Sequence, residues 1–214
     1  MNLLIFGPQG SGKGTQADIL AERFNLAHIE TGQIFRDMAL EDNELGRKIR
    51  ELNERKEMVP DEITLEVLKS HIAKVPMDRG IIIDSAPRTP GQIEGVERML
   101  GKIGRDIDKA VYISLPYEES INRISKRMAC SVCRIHVVMG KDIVDKEDPC
   151  PACGGKVIQR GDDTPEGIAK RLKTFYEITV PVIEYYKDKG MLIEVDGLGS
   201  VEEVSAEIIK KLEK

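Results

Sequence analysis

The amino-acid sequence predicts an α/β protein in which a parallel sheet is covered by helices on both faces. Short apolar segments alternate along the chain with longer segments whose apolar residues recur at helical spacing. Some of the short segments, such as residues 80–84 and 110–115, are apolar almost throughout. This is typical of strands that are buried on both faces. Together these observations predict a three-layer fold.

The first predicted element is an apolar strand at residues 3–6, which is followed by a glycine-rich loop and a helix. A second short strand is predicted at residues 27–30. Thr31 is the predicted N-cap of the next helix, because its hydroxyl can accept a backbone hydrogen bond. The helical pattern is interrupted near residues 42–43. Asp61 is then predicted to cap a further helix.

The remaining chain continues the alternation of strands and helices. The predicted elements are a strand at 80–84, a helix at 91–100, a strand at 110–115, a helix at 117–128, a cysteine-bearing insert at 130–153, a helix at 165–187, a strand at 191–195 and a helix at 201–212. Ligands of such folds bind at the carboxyl ends of the strands. The residues found just beyond these ends include Thr15, Thr31, Asp84 and Arg88.

Composition narrows the class of protein. The chain has 214 residues and a formal net charge of −5, which argues against a general nucleic-acid-binding protein. No apolar run approaches the roughly 18 residues of a membrane helix. The N-terminus lacks the charged and apolar regions of a signal peptide. We therefore predict a cytoplasmic protein without nucleic-acid or membrane partners.

The glycine-rich loop at residues 7–15 carries the clearest chemical signal. It lies between a predicted strand and a predicted helix, the context that a phosphate-binding loop requires. Its glycines allow backbone N–H groups to point at an anion, and the helix N-terminus adds partial positive charge. Lys13 supplies a full positive charge. Glycine-rich turns without a ligand are common, but the register of Gly7, Gly12 and Lys13 favours phosphate binding.

The four cysteines lie in one segment, as two Cys-x-x-Cys pairs. The first pair is Cys130 and Cys133, and the second is Cys150 and Cys153. Such pairs can bind one tetrahedral Zn²⁺ through four thiolates in a closed, structural site. Two disulfides are the main alternative, which a reducing compartment disfavours. His136 could replace one cysteine as a ligand, but an ordinary structural role or a nucleotide contact is favoured.

Arginines and acids near the predicted strand ends indicate phosphoryl transfer, which needs positioning and charge neutralisation rather than a covalent nucleophile. The arginines concerned are Arg36, Arg88, Arg123, Arg127, Arg160 and Arg171. Arg123 and Arg127 are predicted to share one helix face. Asp84 is a candidate to hold Mg²⁺ through water. The acids at 162 and 163 are predicted to brace arginines or the hinge of the insert. The alternative for each arginine is a solvated surface charge. The alternative for Asp84 is a cap or turn residue.

These motifs closely resemble the adenylate kinase family of nucleoside monophosphate kinases, in a branch whose lid binds zinc. The resemblance covers nearly the whole chain. The motifs that carry it are Gly7 to Gln16, Thr31-Gly32 with Arg36, Asp84 to Thr89 with Gln92, Arg123 with Arg127, residues 160–163, Arg171-Leu172 and Val195-Asp196-Gly197.

The resemblance implies a CORE domain at residues 1–29, 60–126 and 165–214, an AMP-binding insert at 30–59 and a lid at 127–164. It implies reversible transfer from Mg·ATP to AMP, giving two ADP, in adenine nucleotide homeostasis. Mg²⁺ and a structural Zn²⁺ are the implied cofactors. The oligomeric state is open, with a monomer as the family default.

The resemblance also implies roles for individual residues. The catalytic residues would be Lys13, Arg88, Arg123, Arg160 and Arg171. The ATP-binding residues would be Gly10, Ser11, Gly12, Lys13, Gly14, Thr15, Arg123, Arg127, His136 and Gly199. The AMP-binding residues would be Thr31, Arg36, Glu57, Met58, Val59, Ser85, Arg88, Gln92, Arg160 and Arg171. The metal ligands would be Cys130, Cys133, Cys150 and Cys153 for zinc, and Asp84, through water, for magnesium.

Three departures from the family pattern affect the predicted nucleotide selectivity. Ser85-Ala86 stands where Gly-Phe is usual, Glu30 stands where Ser is usual, and the segment after Cys133 is shorter than usual. We therefore predict relaxed base discrimination on at least one side of the reaction. The alternatives are a kinase for UMP or CMP, a zinc-ribbon nucleic-acid-binding ATPase, and a regulatory protein that binds nucleotides without turnover.

Overall fold

The computed structural model describes residues 1–55, 57–133, 135–159 and 163–214. Over these residues the chain forms a five-stranded parallel sheet with helices on both faces and a separate three-stranded antiparallel sheet. The predicted α/β class is confirmed. The strands are β1 (Asn2–Phe6), β2 (Leu26–Glu30), β3 (Gly80–Asp84), β4 (Lys109–Ser114), β5 (Arg127–Cys130), β6 (His136–Val138), β7 (Val157–Ile158) and β8 (Leu192–Asp196).

The helices connect these strands and cover the larger sheet. They are α1 (Lys13–Arg23), α2 (Thr31–Met38), α3 (Glu44–Glu54), α4 (Asp61–Ile72), α5 (Pro90–Lys102), α6 (Tyr117–Ser125), α7 (Pro165–Thr174), a π-helical segment (Phe175–Thr179), α8 (Val180–Asp188) and α9 (Val201–Leu212). The predicted break between α2 and α3 is confirmed, and Asn43 caps α3 by accepting a hydrogen bond from the backbone N–H of Gly46.

The strand order of the larger sheet, β2-β3-β1-β4-β8, brings separate parts of the sequence to one edge. β1 lies between β3 and β4, and Ile5 is paired with Asp84. Asp84, the last residue of β3, therefore lies beside the loop that follows β1. This register is what places a carboxylate next to the glycine-rich loop.

Each face of the larger sheet has its own apolar core, because successive strand residues point to opposite faces. On one face Leu4, Phe6, Ile81 and Ile83 pack with residues of α4, α5 and α8. On the other face Leu3, Ile5 and Ile82 pack with residues of α1 and α9. The all-apolar strand segments reflect this burial on both sides.

The smaller sheet has the order β6-β5-β7 and carries the cysteine insert. Its apolar cluster consists of Met128, Cys130, Val137, Ile143, Cys150 and Val157. These side chains pack on one another. The insert thus has a small core of its own, separate from the two cores of the larger sheet.

Two predictions about helices near the insert are wrong. The helix predicted at 117–128 ends at Ser125, and Arg127 begins strand β5. Arg123 and Arg127 therefore do not share a helix face, because pairing with β6 and β7 takes Arg127 into a sheet. The helix predicted at 165–187 is interrupted by the π-helical segment Phe175–Thr179.

The two predicted helix caps are also wrong. Thr31 is the first residue of α2, and its hydroxyl donates to the backbone carbonyl of Asp84 at 3.0 Å instead of capping the helix. Asp61 is the first residue of α4, where Pro60 occupies the N-cap position. The Asp61 carboxylate instead accepts hydrogen bonds from the side chains of Thr89 and Gln92.

Candidate active site

The loop after β1 has the backbone geometry of an anion cradle. Gly10 and Gly12 both have φ of +83°, a left-handed conformation that glycine adopts at low cost. α1 begins at Lys13, directly after this turn, and no side chain of the described residues caps it. The first N–H groups of α1 have no partner within the helix and carry the positive end of its dipole. They are therefore available to an anionic ligand.

Lys13 and Asp84 place opposite charges at this cradle. Asp84 is buried, and its Oδ1 accepts a hydrogen bond from Ser85 Oγ at 2.8 Å. Although burial raises the pKa of Asp84, His28, Lys13 and Ser85 together lower it below its usual value. Burial lowers the pKa of Lys13, and the Asp84 carboxylate opposes that shift. A charged carboxylate thus faces the loop at neutral pH.

A cleft of about 970 Å³ opens above the cradle and brings together most of the predicted site residues. Its lining includes Gly10, Gly12, Lys13, Gly14, Thr15, Thr31, Arg36, Glu57, Met58, Val59, Asp84, Ser85, Arg88, Gln92, Arg123, Arg127, His136, Arg171 and Gly199. Ser11 is buried and is not part of the lining. Arg160 lies outside the described residues. The volume is at the upper end of the roughly 300–1,000 Å³ of small-molecule sites.

Arg36 projects from α2 into this cleft and is held by two side chains. Its Nη2 donates to Glu30 Oε1 at 2.7 Å and to Gln33 Oε1 at 2.8 Å, and its Nε donates to Gln33 Oε1 at 3.0 Å. Arg36 and Glu30 are each about one-third exposed. These contacts orient the guanidinium group within the cleft through Nε and Nη2.

Arg88 is positioned by the loop after β3. Its Nε donates to the backbone carbonyl of Ser85 at 2.8 Å, and its backbone N–H donates to Gln92 Oε1 at 2.7 Å. The Gln92 amide donates in turn to Asp61 Oδ1 at 2.7 Å. Gln92 lines the cleft, but this network already uses its carbonyl oxygen. Asp61 and Gln92 therefore fix the loop that presents Arg88.

Ser85 has φ of +69°, a conformation that is rare for a residue with a side chain. Glycine is usual at this position of the family pattern, and the backbone here retains a glycine-like conformation. Ala86 is fully buried in the apolar core that also contains Phe175 and Ile93, and it is not part of the cleft lining. The side chain at position 86 therefore acts on the cleft only through the packing behind it.

Arg123 lies directly beside the cradle, with its Cβ 3.3 Å from the position that a β-carbon on Gly10 would take. It projects from α6, and its Nε donates to Glu119 Oε1 at 2.7 Å, one helical turn earlier. Hydrogen bonds from Asn122 and Arg123 lower the pKa of Glu119. His136, on β6, and Gly199, before α9, also line this part of the cleft.

Arg127 and Arg171 converge on Asp163. Arg127 donates to both carboxylate oxygens of Asp163, at 2.7 and 2.9 Å, and Arg171 Nη2 donates to Oδ1 at 2.6 Å. Although burial raises the pKa of Asp163, these two arginines lower it below its usual value. The prediction that Asp163 braces arginines is confirmed. Asp162 lies outside the described residues.

The four cysteines of the insert form one cluster. Their sulfurs lie within 4.8 Å of one another, with Cys130 Sγ 3.5 Å from Cys153 Sγ and Cys133 Sγ 3.7 Å from Cys150 Sγ. All four are free thiols. These distances exceed the ~2.05 Å of a disulfide and are close to the ~3.8 Å that sulfurs take around tetrahedral zinc. The geometry therefore favours a metal site over two disulfides.

The environment of the cluster differs between its thiols. Burial raises the pKa of Cys130, but the backbone N–H groups of Cys133 and Val132 lower it to about 6. The backbone N–H of Ile135 lowers the pKa of Cys133, but burial and the neighbouring thiols raise it to about 12. Four adjacent thiolates need a cation to neutralise them, and a bound Zn²⁺ would supply that charge.

Sequence reasoning did not identify four residues that shape the cleft. Asp61 and Glu119 hold Gln92 and Arg123, and Phe35 and Phe175 supply aromatic lining. Glu119 stands four residues before Arg123, a spacing that could have indicated the ion pair. The pairing of Asp61 with Gln92 joins α4 to α5, and no local sequence pattern indicates it.

Among the described residues, no helix is long and apolar enough to cross a bilayer.

Known proteins can be compared with three features described above. These are the N-terminal strand, loop and helix, the arginine-lined cleft and the cysteine cluster. The family model described as adenylate kinase matches residues 5–191. The chain belongs to the adenylate kinase family. The matched segment contains the glycine-rich loop, Asp84, Arg88, all four cysteines and Arg171, whereas Gly199 lies beyond its end.

Named relatives support this assignment over the full length. The chain is 40% identical to an adenylate kinase of Dehalococcoides mccartyi (strain ATCC BAA-2266), covering 99% of this chain and 97% of the relative. It is 39% identical to one of Caldicellulosiruptor saccharolyticus, covering 99% of both. It is 36% identical to one of Archaeoglobus fulgidus, covering 100% of this chain and 99% of the relative. These adenylate kinase matches do not favour the alternative functions.

Proposed function

We propose that this protein transfers the terminal phosphoryl group of Mg·ATP to AMP, reversibly, and forms two ADP. The observation that carries the proposal is the arrangement of the cleft. An anion cradle with Lys13 lies at one end, and Arg36 and Arg88 project into the same cleft from α2 and from the loop after β3. Two anionic ligands can thus be held with their phosphates facing each other.

On the donor side, the N–H groups of residues 10–15 would hold the ATP phosphates, with Lys13 following the outer ones. Arg123 and Arg127 line the cleft on this side. His136 and Gly199 would lie near the base and ribose. The side chain of Ser11 is buried, so Ser11 would contribute only its backbone.

On the acceptor side, Arg36 and Arg88 would bind the AMP phosphate. Thr31, Ser85 and Gln92 line the cleft beside them, and Glu57, Met58 and Val59 supply the wall at the end of the insert. Most of these side chains are tied to the protein by hydrogen bonds. A site that is already oriented loses less entropy when it binds its ligand.

The reaction needs no general base. An oxygen of the AMP phosphate attacks the γ-phosphorus of ATP, a P–O bond forms there, and the bond to the bridging oxygen of ADP breaks. Arg88, Arg123, Arg160 and Arg171 would neutralise the charge of the transferring group. Closure of the lid would exclude water, which would otherwise hydrolyse ATP.

Magnesium fits the oxygen atoms beside the cradle. The Asp84 carboxylate faces the loop, with Oδ2 3.7 Å from the position that a β-carbon on Gly14 would take. Mg²⁺ prefers oxygen ligands and usually keeps several waters, so Asp84 would hold it through water. When bound with ATP, Mg²⁺ neutralises phosphate charge and orients the phosphates.

The four thiolates fit a structural Zn²⁺ in the lid, because their spacing and chemistry suit a closed tetrahedral site. We also propose the division into a CORE domain (1–29, 60–126 and 165–214), an AMP-binding insert (30–59) and a lid (127–164). The separate apolar cluster of the antiparallel sheet supports a distinct lid.

The cluster of free thiols supports a reducing, cytoplasmic location. A monomer is the proposed state.

Initial rates test the proposal. ATP with Mg²⁺ is offered with AMP, UMP, CMP or GMP, and then AMP is offered with ATP, GTP, CTP or UTP. We expect transfer from ATP to AMP. We also expect measurable transfer from donors or to acceptors that carry other bases, because residues 30 and 85–86 and the segment after Cys133 depart from the family pattern.

Lys13→Met should lower kcat/KM at least ~100-fold, whereas the exposed Lys48→Met should not change it. Absence of transfer to every monophosphate would reject the proposal. A preference for AMP and ATP as strict as that of related enzymes would reject relaxed base discrimination.

A further inference from the structure

Glu30 is an acid placed among the cations of the acceptor side. It is the last residue of β2, and its Oε1 lies 2.7 Å from Nη2 of Arg36. Arg36 is one of the two arginines that would bind the acceptor phosphate. The same N–H group therefore has a protein carboxylate as its partner before any nucleotide enters.

The Glu30 carboxylate pairs with Arg36 and acts electrostatically on other cations of the cleft. Measured from the position that a β-carbon on Gly32 would take, Arg36 Nη1 lies at 3.3 Å, Arg88 Nη2 at 3.9 Å and Glu30 Oε1 at 3.9 Å. Burial lowers the pKa values of Lys13 and Arg88, and the carboxylates of Asp84 and Glu30 oppose both shifts. Glu30 thus reduces the positive potential of the whole phosphate-binding region.

Arg36 does not depend on Glu30 for its orientation. Gln33 Oε1 accepts hydrogen bonds from both Nε and Nη2 of Arg36, and the Gln33 amide donates to Asp37 Oδ1 at 2.9 Å. None of these contacts involves the charge of Glu30. The Glu30 side chain is one-third exposed, so it can turn toward solvent when a phosphate takes its place.

We propose that Glu30 is an internal competitor for the acceptor phosphate, which sets the affinity of this site for AMP by occupying Arg36 until the nucleotide displaces it. The proposal rests on the proposed function, because it concerns the acceptor of that reaction. The competition is electrostatic. A phosphate dianion that binds Nη2 of Arg36 must displace Glu30 from it and then lies near the negative charge of Glu30.

Three variants test this inference in the full-length protein. Glu30→Gln removes the charge and keeps the size of the side chain. Glu30→Asp keeps the charge. Glu94→Gln is the matched control, since Glu94 also pairs with an arginine, Arg98, but on the exposed surface of α5 and outside the cleft. KM and kcat are measured for AMP and for ATP, and AMP binding is measured separately by calorimetry without ATP.

We expect Glu30→Gln to lower KM and Kd for AMP by about three- to tenfold, with KM for ATP changed by less than about twofold. Inorganic phosphate, used as a competitor of AMP, should inhibit this variant at a correspondingly lower concentration. Glu94→Gln should stay within about twofold of the parent protein, and Glu30→Asp, which keeps the charge on a shorter side chain, should fall between the parent protein and Glu30→Gln. A Glu30→Gln variant whose KM and Kd for AMP are unchanged or higher would overturn the proposal.

The dependence on salt separates competition from a purely structural effect. Without Glu30 the site is more positive, so KM for AMP should rise more steeply with ionic strength in Glu30→Gln than in the parent protein. Equal slopes would contradict the inference. Failure of the proposed function is distinguishable, because the parent protein itself would then transfer nothing to AMP, whereas failure of this inference leaves the parent active.

Discussion

Arg127 and Asp163 form a two-point ion pair that joins strand β5 to the residues just before helix α7. Both carboxylate oxygens accept from Arg127, at 2.7 and 2.9 Å, and no part of the Asp163 side chain is exposed. Arg171, on α7, donates to the same carboxylate. One buried acid thus holds the first strand of the cysteine insert to the helix through which the chain returns to the larger sheet.

Replacing Asp163 by Asn should destabilise the fold. The change removes one negative charge from beside two partly buried arginines, and so removes a charge partner from each of them. We expect a loss of about 2 kcal/mol in the free energy of unfolding, less than for a fully buried pair, because Arg127 and Arg171 are 18% and 25% exposed. Urea unfolding measures the change.

The control for this variant is Asp42→Asn. Asp42 also accepts a hydrogen bond from an arginine, Arg47, but its side chain is 96% exposed. Exposed ion pairs contribute about 0–1 kcal/mol, so Asp42→Asn should have little effect. Equal losses of stability in the two variants would show that burial does not increase the contribution of the Asp163 carboxylate.

The contribution of Asp163 should depend on pH in a defined direction. Because the folded protein lowers the pKa of Asp163, its contribution is fully present above the unfolded pKa of about 3.9. It is lost as the pH falls through the lower folded pKa. The stability difference between the parent protein and Asp163→Asn should therefore be constant between about pH 5 and pH 7 and shrink below about pH 4. A difference that grows on acidification would contradict this assignment.

Removal of metal should destabilise the cysteine insert. We expect one Zn²⁺ per chain by elemental analysis and a fall in melting temperature of about 5–10 °C after chelation. Cys150→Ser should reproduce both effects, because it removes one buried ligand. Ser131→Ala is the matched control, since Ser131 neighbours Cys130 but its hydroxyl donates to the Lys156 carbonyl and not to a cysteine. Full-length protein that binds no metal and melts unchanged with chelator would reject the site.

Ser85 should show two opposing effects. Its φ of +69° strains a side-chain-bearing residue by about 1 kcal/mol, whereas its hydroxyl donates to Asp84. Ser85→Ala loses the hydrogen bond and keeps the strain, and Ser85→Gly loses both. Ser85→Gly should therefore be more stable than Ser85→Ala by about 1 kcal/mol in chemical unfolding. The reverse order would mean that the backbone at this position is not strained.

The sequence predicted the parts of this fold that depend on neighbouring residues. A strand, a glycine-rich loop and a helix in direct succession identify the anion cradle, and the paired cysteines identify the cluster. An apolar strand that ends in an acid was enough to predict that Asp84 would lie near that cradle, because carboxyl ends of parallel strands share one edge of a sheet.

The errors lie where distant contacts decide the local structure. Arg127 has helical spacing from Arg123, but hydrogen bonds to β6 and β7 draw it into a strand. Asp61 resembles a helix cap, yet its carboxylate is used by Thr89 and Gln92 in another element. The ion pair of Glu30 with Arg36 depends on the angle between β2 and α2, which sequence spacing does not contain.

The apolar cluster of the antiparallel sheet has a consequence for how this chain diverges from its relatives. Its members, Met128, Cys130, Val137, Ile143, Cys150 and Val157, pack on one another rather than on the strands of the parallel sheet. Substitutions in this segment can therefore accumulate without repacking the rest of the protein. The proposed lid is therefore a segment that evolution can lengthen, shorten or exchange while the phosphate cradle keeps its shape.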